Sequence, residues 1–267
     1  MLQNLNHDRT WFIGGSDAKR IMNGDWLALY EEKVGIRQPD DLSNVFRVQL
    51  GKWTESFHAE WLVEQHNMQL TDPDGPVVHP EHDFLVGQLD RLWPEKGTFV
   101  ELKHSNERAS PREMTENYLP QVAHYCSCMG VSVAYISTIP GNGEPFVTKV
   151  EPSHEYMTKL TEMEVAFWWH VQNKVAPEII PTATLERTNA LAKDTKVDGF
   201  RYVDMSKNNA WASAASDFIS TREAVATHDK AKDTLKELIE ADVGEASGHG
   251  ITIKRDKRGA LRFTVKE

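Results

Sequence analysis

The sequence has few cysteines and no long apolar run. Only two of its 267 residues are cysteine, Cys126 and Cys128, and on a predicted helix they point to different sides. Neither a disulfide framework nor a cluster held by cysteine thiolates can be built from this pair. No stretch approaches the roughly 18 apolar residues of a membrane span, and the first residues lack a basic segment followed by an apolar one. We therefore expect a cytoplasmic protein with no membrane partner.

An excess of positive charge is also lacking. The chain carries 30 Lys and Arg against 40 Asp and Glu, a net charge of −10. This balance argues against a protein that coats nucleic acid, whose affinity comes from cations that neutralise phosphates. It leaves open an enzyme with one basic face. Positive charge is concentrated near the C-terminus, where Asp256 stands among Lys254, Arg255, Lys257, Arg258, Arg262 and Lys266.

Residues 88–104 contain the most informative spacing of the chain. Asp90 precedes a Pro-Glu-Lys-Gly turn at 94–97, and Glu101 and Lys103 follow it. A four-residue loop would place Asp90 directly opposite Glu101 on a β-hairpin, with Cβ atoms roughly 5 Å apart. Because side chains alternate along a strand, Glu101 and Lys103 share one face. Two carboxylates this close repel unless a cation neutralises them, so the spacing predicts a divalent-metal site with an adjacent lysine. The alternative is a surface hairpin with scattered charges.

Glu55 lies in a segment, residues 51–66, that is rich in helix formers. Trp53, Phe57 and Trp61 occupy another side of this predicted helix, so we expect the helix to be apolar nearly all round and buried. A buried acid is rarely left unpaired. Glu55 is therefore either one half of a salt bridge or a third carboxylate of the metal site.

Two further motifs flank this region. A helix starting at Tyr118, with Pro120 in its first turn, places Gln121 and Tyr125 on one face, where their neutral hydrogen-bonding groups can orient a ligand. Near the N-terminus, Gly14 and Gly15 precede Ser16, which we expect to cap a helix beginning at Asp17. A glycine-led helix start is suited to phosphate, and Arg9 would be its cationic partner. Packing alone and an ordinary helix cap are the respective alternatives.

In order, these residues form the set Arg-x6-Ser, Gly-x3-Glu, Asp, Glu-x-Lys and Gln-x3-Tyr. The set closely resembles the YqaJ-like phage recombinase nucleases, relatives of lambda exonuclease within the PD-(D/E)xK superfamily, over about residues 9–180. The resemblance implies an α/β restriction-endonuclease-like core with a mixed central β-sheet flanked by helices. It also implies Mg²⁺-dependent cleavage of double-stranded DNA ends from 5′ to 3′, with Mn²⁺ as a substitute. The product would be a 3′ single strand for a single-strand annealing protein. Lambda exonuclease-like relatives form rings of three, so a homo-oligomer is implied.

The site follows from the resemblance residue by residue. The implied metal ligands are Asp90, Glu101 and the backbone carbonyl of Leu102, and Glu55 would serve a second ion. Lys103 resembles the catalytic lysine, and the helix motif after the core corresponds to Gln121 and Tyr125. Arg9 and Ser16 match positions that grip a 5′-terminal phosphate, and Tyr125 is included with them as a DNA-binding residue. One departure is that Asp90 lacks the preceding proline of the P-D pair, a position that varies in the superfamily.

The remaining segments complete the predicted organisation. We expect a nuclease domain over residues 1–180, a break at 176–181, and a C-terminal region of helix and basic β-hairpin over 185–267. The ranges predicted for individual elements are a helical entry at 17–34, a mobile loop at 106–117, strands at 131–139 and 146–150, helices at 155–175 and 208–243, and a hairpin of 251–254 with 261–265. The hairpin would either track DNA or be a solvated turn.

The first hypothesis is accordingly a metal-dependent DNA exonuclease of phage recombination in a bacterial host. A metal-dependent endonuclease with the same site is the second. A DNA-binding or interaction module on a decayed nuclease fold is the third, and the complete set of charged positions argues against it.

Overall fold

A computed structural model of the chain describes residues 9–180, 182–198 and 205–265. The chain divides into two compact units, residues 1–202 and 203–267. The first unit extends beyond the predicted break at 176–181, whose last residue, Pro181, lies outside the described residues. It does so because a short strand at Lys196–Val197 pairs with an earlier strand of the central sheet.

The first unit is built on a mixed five-stranded sheet in the order β3-β4-β5-β6-β7. Its strands are Arg91–Trp93 (β3), Thr98–Ser105 (β4), Ala134–Pro140 (β5), Phe146–Glu151 (β6) and Lys196–Val197 (β7). Strands β4 and β5 are parallel, and the other neighbours are antiparallel. A separate antiparallel pair joins β1 (Val77–Val78) to β2 (Val86–Gly87). The predicted α/β fold with a mixed central sheet is confirmed.

Six helices accompany the sheet in the described part of the first unit. They are α1 (Gly15–Met22), α2 (Trp26–Lys33), α3 (Phe46–His66), α4 (Pro111–Met129), α5 (His154–Asn173) and α6 (Thr182–Leu191). The predicted helical entry at 17–34 consists of two helices, because Gly24 has φ of +81° and separates α1 from α2. A positive φ is adopted readily by glycine and ends a helix.

The hairpin that carries the acidic pair has the predicted register. Trp93 pairs with Thr98 and Arg91 with Val100. The connection is a 3-10 turn over Pro94–Lys96, followed by Gly97 with φ of +62°. Asp90 lies one residue before β3. In this register it faces Glu101 across the hairpin.

Alternate residues of β4 enter two different apolar cores. Phe99 belongs to the large core that α1, α4 and α5 share with the sheet, whereas Val100 and Leu102 join a smaller cluster with residues of α3. Consequently Glu101 and Lys103 face the α4 side of the sheet, as the period of two along a strand predicts.

Helix α3 does not have the predicted burial. Trp53 is 82% exposed and Phe57 is 56% exposed, and only His58, Ala59 and Leu62 of this helix are buried. The prediction of a helix buried on nearly all sides was therefore wrong. The helix packs on the sheet through one narrow face, and apolar residue type alone does not say which faces will find a partner.

The predicted loop at 106–117 is largely helix. Helix α4 begins at Pro111, so Pro120 is inside the helix and not in its first turn. Ser110 accepts a hydrogen bond from the Glu113 backbone N–H, and the Glu113 carboxylate accepts one from the Ser110 backbone N–H at 3.1 Å. This reciprocal cap, with proline in the first turn, starts the helix seven residues earlier than expected.

The second unit contains helix α7 (Asn209–Glu237) and the antiparallel strands β8 (Glu245–Gly248), β9 (Ile251–Arg255) and β10 (Leu261–Val265). The predicted hairpin is present, and β8 adds a strand that the sequence did not reveal. Two of its cations are paired within the unit, Lys254 with Glu245 at 3.2 Å and Arg262 with Asp256 at 3.0 Å. Lys266 lies outside the described residues. Whether the hairpin contacts DNA stays a prediction.

Across the described ranges, no helix is both long enough and apolar enough to span a bilayer.

Gly15 and Gly51 provide a matched test of how closely α1 packs on α4. A Cβ on Gly15 would lie 2.6 Å from Gln121 Cγ and 2.8 Å from the Tyr125 ring, whereas one on Gly51 would meet nothing within 4 Å. We expect Gly15→Ala to destabilise the fold by about 1–3 kcal/mol through overpacking. Gly51→Ala, inside α3, should be neutral or stabilising by up to about 1 kcal/mol. Urea unfolding of both variants measures this, and equal stabilities would contradict the close approach.

Candidate active site

The hairpin of β3 and β4 brings two carboxylates together. Glu101 is only 1% exposed, and its strand neighbour Leu102 donates its backbone N–H to Asp90 Oδ2 at 2.7 Å. The side chain of Asp90 thus reaches across the hairpin to β4. The predicted juxtaposition of Asp90 and Glu101 is present, and it depends on the register of β3 against β4.

Only one oxygen of the Glu101 carboxylate accepts hydrogen bonds in the described structure. Glu101 Oε1 accepts from Lys103 Nζ at 2.5 Å and from Gln121 Nε2 at 2.6 Å. The second oxygen, Oε2, is buried and has no hydrogen-bond partner in the described structure. An unpaired buried carboxylate oxygen is costly, so this atom is suited to a cationic ligand.

The electrostatics of the cluster follow from burial and from the proximity of Asp90, Glu101 and Lys103. Desolvation, reinforced by the charge of Glu101, raises the pKa of Asp90 to about 7. For Lys103, desolvation favours the neutral amine, but the carboxylates of Glu101 and Asp90 outweigh it and raise the pKa of Lys103. Lys103 is therefore a fixed cation, and Asp90 is an acid whose charge depends on a neighbouring cation.

A divalent cation fits this donor set. Among the described residues, no three Asp, Glu, His or Cys side chains form a metal-binding group. The set is therefore two carboxylates, with the Leu102 carbonyl as the predicted third donor. Hard cations such as Mg²⁺ use one or two carboxylates and otherwise bind water or substrate phosphate. The orphaned Glu101 Oε2 and the raised pKa of Asp90 are the features that a cation would relieve.

Glu55 forms the salt bridge that was one of its two predicted roles. Glu55 Oε1 lies 3.4 Å from Arg91 Nη1, and the side chain of Glu55 is 39% exposed. Arg91 also contacts Asp72 at 3.3 Å. Desolvation and then the charge of Asp90 raise the pKa of Glu55. Glu55 therefore approaches the acidic pair from α3, and its role as a further metal ligand stays a prediction.

Gln121 and Tyr125 lie on one face of α4, as the helical spacing predicted. Gln121 Nε2 donates to Tyr125 Oη at 3.0 Å as well as to Glu101. Desolvation, followed by the charge of Glu101, raises the pKa of Tyr125 well above its usual range, so the phenol stays protonated. The pair thus connects the acidic cluster to the N-terminus of α1.

The N-terminal motif is arranged differently from its prediction. Helix α1 begins at Gly15 with Gly14 as its N-cap, so the expectation that Ser16 caps the helix was wrong. Asp17 provides the capping group, because its Oδ2 accepts the Gly14 backbone N–H at 3.0 Å. The Ser16 hydroxyl is left exposed and accepts a hydrogen bond from Arg9 Nη2 at 2.8 Å. Arg9 also pairs with Asp17 at 3.2 Å.

Lys33 supports this motif and was not found from the sequence. Its side chain is 4% exposed, and Nζ donates to Asp17 Oδ2 at 2.8 Å and to the carbonyls of Arg9 and Phe12 at 2.6 and 2.5 Å. A lysine at the end of an ordinary helix carries no sequence signal for such burial. Three acceptors satisfy the three donors of an ammonium group, so Lys33 anchors the backbone that presents Arg9.

A cavity of about 120 Å³ lies at the N-terminus of α1. Gln121 and Tyr125 form one wall, and the N-terminus of α1 forms another. The lining residues are Arg9, Phe12, Gly14, Gly15, Ser16, Val86, Gln88, Gln121 and Tyr125. A larger cavity of about 630 Å³ lies beside α3 and is lined by three acids, Glu60, Glu64 and Asp72, with Arg91. Among the residues that line the smaller cavity, Arg9 is a cation and none is an acid.

Comparison with known proteins gives one family match and several similar structures. Residues 5–132 match the YqaJ-like viral recombinase domain. The alkaline exonuclease LHK-Exo of Laribacter hongkongensis has a similar structure, with a TM-score of 0.51 and 16% identity over 68% of this chain and 95% of that one. A phage-related exonuclease of Haemophilus somnus 129PT matches with a TM-score of 0.46 and 14% identity over 60% of this chain and 82% of that one. No curated protein gives a significant match to the sequence. The family resemblance and the nuclease fold are confirmed.

The raised pKa of Asp90 predicts a specific dependence of stability on pH. The folded value is about 7, against about 4 in an unfolded chain. Since the folded state holds this proton more tightly, ionisation of Asp90 costs stability progressively as pH rises from about 4 to about 7. We expect the metal-free wild type to lose melting temperature over this window relative to Asp90→Asn.

Thermal melts in EDTA across that range measure the difference between the two proteins. Above pH 7, Mg²⁺ should raise the melting temperature of the wild type, because a ligand that binds only the folded state stabilises it. Asp90→Asn should remove most of this shift. Parallel pH curves, together with no response to the cation, would rule out the clustered-carboxylate interpretation.

Proposed function

We propose that this chain, whose residues 5–132 match the YqaJ-like viral recombinase domain, is a Mg²⁺-dependent exonuclease that degrades double-stranded DNA ends from 5′ to 3′. The observation that supports this most is one shared wall. Gln121 donates to Glu101 of the acidic cluster and to Tyr125, and both side chains line the cavity at the start of α1. A terminal phosphate and a bond to be cleaved would thus be held side by side.

The acidic pair is proposed to hold the catalytic ion. Asp90, Glu101 and the carbonyl of Leu102 would be its protein ligands, and Glu55 a ligand of a second ion after release from Arg91. Mn²⁺ would substitute for Mg²⁺. A bound divalent ion supplies Lewis-acid activation of a phosphoryl group and stabilises the charge that develops on it.

Lys103 and Gln121 position the remaining participants. Lys103 is held as a cation by Glu101 and Asp90. It would orient the attacking water and stabilise the negative charge of the pentacoordinate transition state. Gln121 fixes the Glu101 carboxylate through its amide N–H. Neither residue needs to transfer a proton for these roles.

The cavity at the start of α1 is proposed to select DNA ends. Arg9 offers a guanidinium, Ser16 a hydroxyl, and the first turn of α1 its backbone N–H groups, which together favour a dianionic phosphate. At about 120 Å³ the cavity has room for a phosphate group and not for a base pair. A 5′-terminal phosphate would therefore be recognised, and internal duplex excluded. The 3′ strand left behind would be the substrate of a single-strand annealing protein.

We predict that Glu101→Gln and Lys103→Ala each abolish cleavage. Glu101→Gln removes the charge that attracts the ion, and Lys103→Ala removes the cation at the reacting phosphate. Binding to duplex DNA should remain measurable in both variants, because the other phosphate contacts are intact. Single-turnover cleavage of a labelled linear duplex, with Mg²⁺ and with EDTA, measures the loss.

The same assay separates the proposal from its alternatives. An exonuclease leaves closed-circular duplex intact, whereas an endonuclease of this fold would cut it. A decayed nuclease fold would bind both substrates and cleave neither. Turnover within tenfold of the wild type in either variant would overturn the assignment of these two residues.

End selection predicts a preference for phosphorylated ends that depends on Arg9. The wild type should resect a 5′-phosphorylated duplex faster than the same duplex with a 5′-hydroxyl. Arg9→Ala should bring this rate ratio close to one, through loss of a charge-assisted contact worth about 1.5–3 kcal/mol. The rate ratios of both proteins, measured in parallel, test this. Identical ratios would assign Arg9 to the support of Asp17 alone.

A further inference from the structure

Lys19 lies beside the catalytic cluster, although no motif identified it. It is three residues after Ser16 on α1, so it lies on the same face of the helix one turn further along. Its ammonium group donates to Asn117 Oδ1 and lies 5.6 Å from the centre of the Tyr118 ring. Helix α4 therefore faces α1 with Gln121 near Gly15 and with Tyr118 near Lys19.

Lys103 approaches the same ring. Its ammonium group lies 4.6 Å from the Tyr118 ring centre. Two lysines from different elements, α1 and β4, thus both lie within 6 Å of one aromatic ring. The negative charge on the ring face attracts both cations, but it does not neutralise them.

Lys103 and Lys19 differ in whether a carboxylate neutralises their charge. Lys103 is paired with Glu101. No carboxylate forms an ion pair with Lys19 in the described part of the chain, where its polar partner is a neutral amide. Burial and then the charge of Lys103 lower the pKa of Lys19, which agrees with a like charge nearby. Such a pair is stabilised when an anion lies between the two groups.

We propose that Lys19 is a substrate-binding residue, which together with Lys103 holds the scissile phosphodiester of the cleaved strand over Tyr118. This inference rests on the proposed nuclease function. It adds a second cation at the reacting phosphate, separate from Arg9 at the terminal phosphate. The face of α4 formed by Tyr118, Gln121 and Tyr125 would then run from the scissile phosphate to the terminal one.

A purely structural role for Lys19 is the competing explanation. In that case its hydrogen bond to Asn117 would tie α1 to α4, and its charge would have no function. The two roles differ in a measurable way. Each phosphate contact releases condensed counterions, so its loss reduces the slope of log affinity against log salt concentration by about 0.9. Loss of a structural tether does not change this slope.

The experiment uses the full chain and a 5′-phosphorylated blunt duplex in EDTA, with binding followed by fluorescence anisotropy from about 50 to 200 mM salt. Lys19→Gln should bind about tenfold more weakly at the lower salt concentrations and should lose about one unit of slope. Lys19→Arg should retain the slope. Steady-state cleavage in Mg²⁺ should show at least a tenfold fall in kcat/KM for Lys19→Gln and recovery in Lys19→Arg.

Two control variants separate charge from structure. Asn117→Ala removes the tether and keeps the cation, so its slope should equal that of the wild type. Lys159→Gln removes a lysine of α5 that is paired with Glu162 at 3.0 Å, and its slope should also be unchanged. Wild-type slope in Lys19→Gln, while the wild type degrades DNA, overturns the proposal for Lys19. A wild type that degrades no DNA overturns the nuclease function instead, whatever the slopes are.

Discussion

The buried carboxylate of Glu101 is the interaction on which the site depends. It comes from a central strand, and Lys103 of the same strand and Gln121 of α4 both donate to one of its oxygens. A buried acid with a single satisfied oxygen is unfavourable unless a cation completes it. The fold tolerates this acid because Lys103 is held beside it, whereas the nearby Asp90 adds repulsion when it is ionised. Stability and chemistry therefore compete at this residue, as is common where a site is prepared for a ligand.

The second constraint is the close approach of α1 to α4. Gly15 permits it, since any larger side chain would meet Gln121 and Tyr125. The contact gives the cavity at the start of α1 and the acidic cluster a common wall. Lys33 and Asp17 then hold the N-terminal backbone in place from beneath. The proposed end-binding pocket and the proposed cleavage site are linked in this way by two side chains on one helix face.

The acidic composition of the chain is compatible with a polyanionic substrate because the cations are placed locally. Arg9, Lys19 and Lys103 lie along the junction of α1, α4 and β4, whereas the larger cavity beside α3 is lined by three acids and one arginine. Net charge describes long-range steering and solubility, but a phosphate is bound by the few groups within hydrogen-bonding distance. The opposed signs of the two surfaces would also direct DNA to the first.

The sequence by itself determined the features that depend on local period and spacing. The turn at 94–97 set the register of Asp90 against Glu101, alternation put Lys103 on the face of Glu101, and the helical repeat stacked Gln121 on Tyr125. The start of α4 is also encoded locally, in the cap formed by Ser110 and Glu113, upstream of the predicted start at Tyr118. Only the tertiary structure decided that Glu55 pairs with Arg91, that Trp53 is exposed, and that Lys33 and Lys19 reach the site. Periodicity is a property of each segment's own backbone geometry, whereas burial and ion pairing depend on which segments meet, and that is settled by the packing of the whole domain.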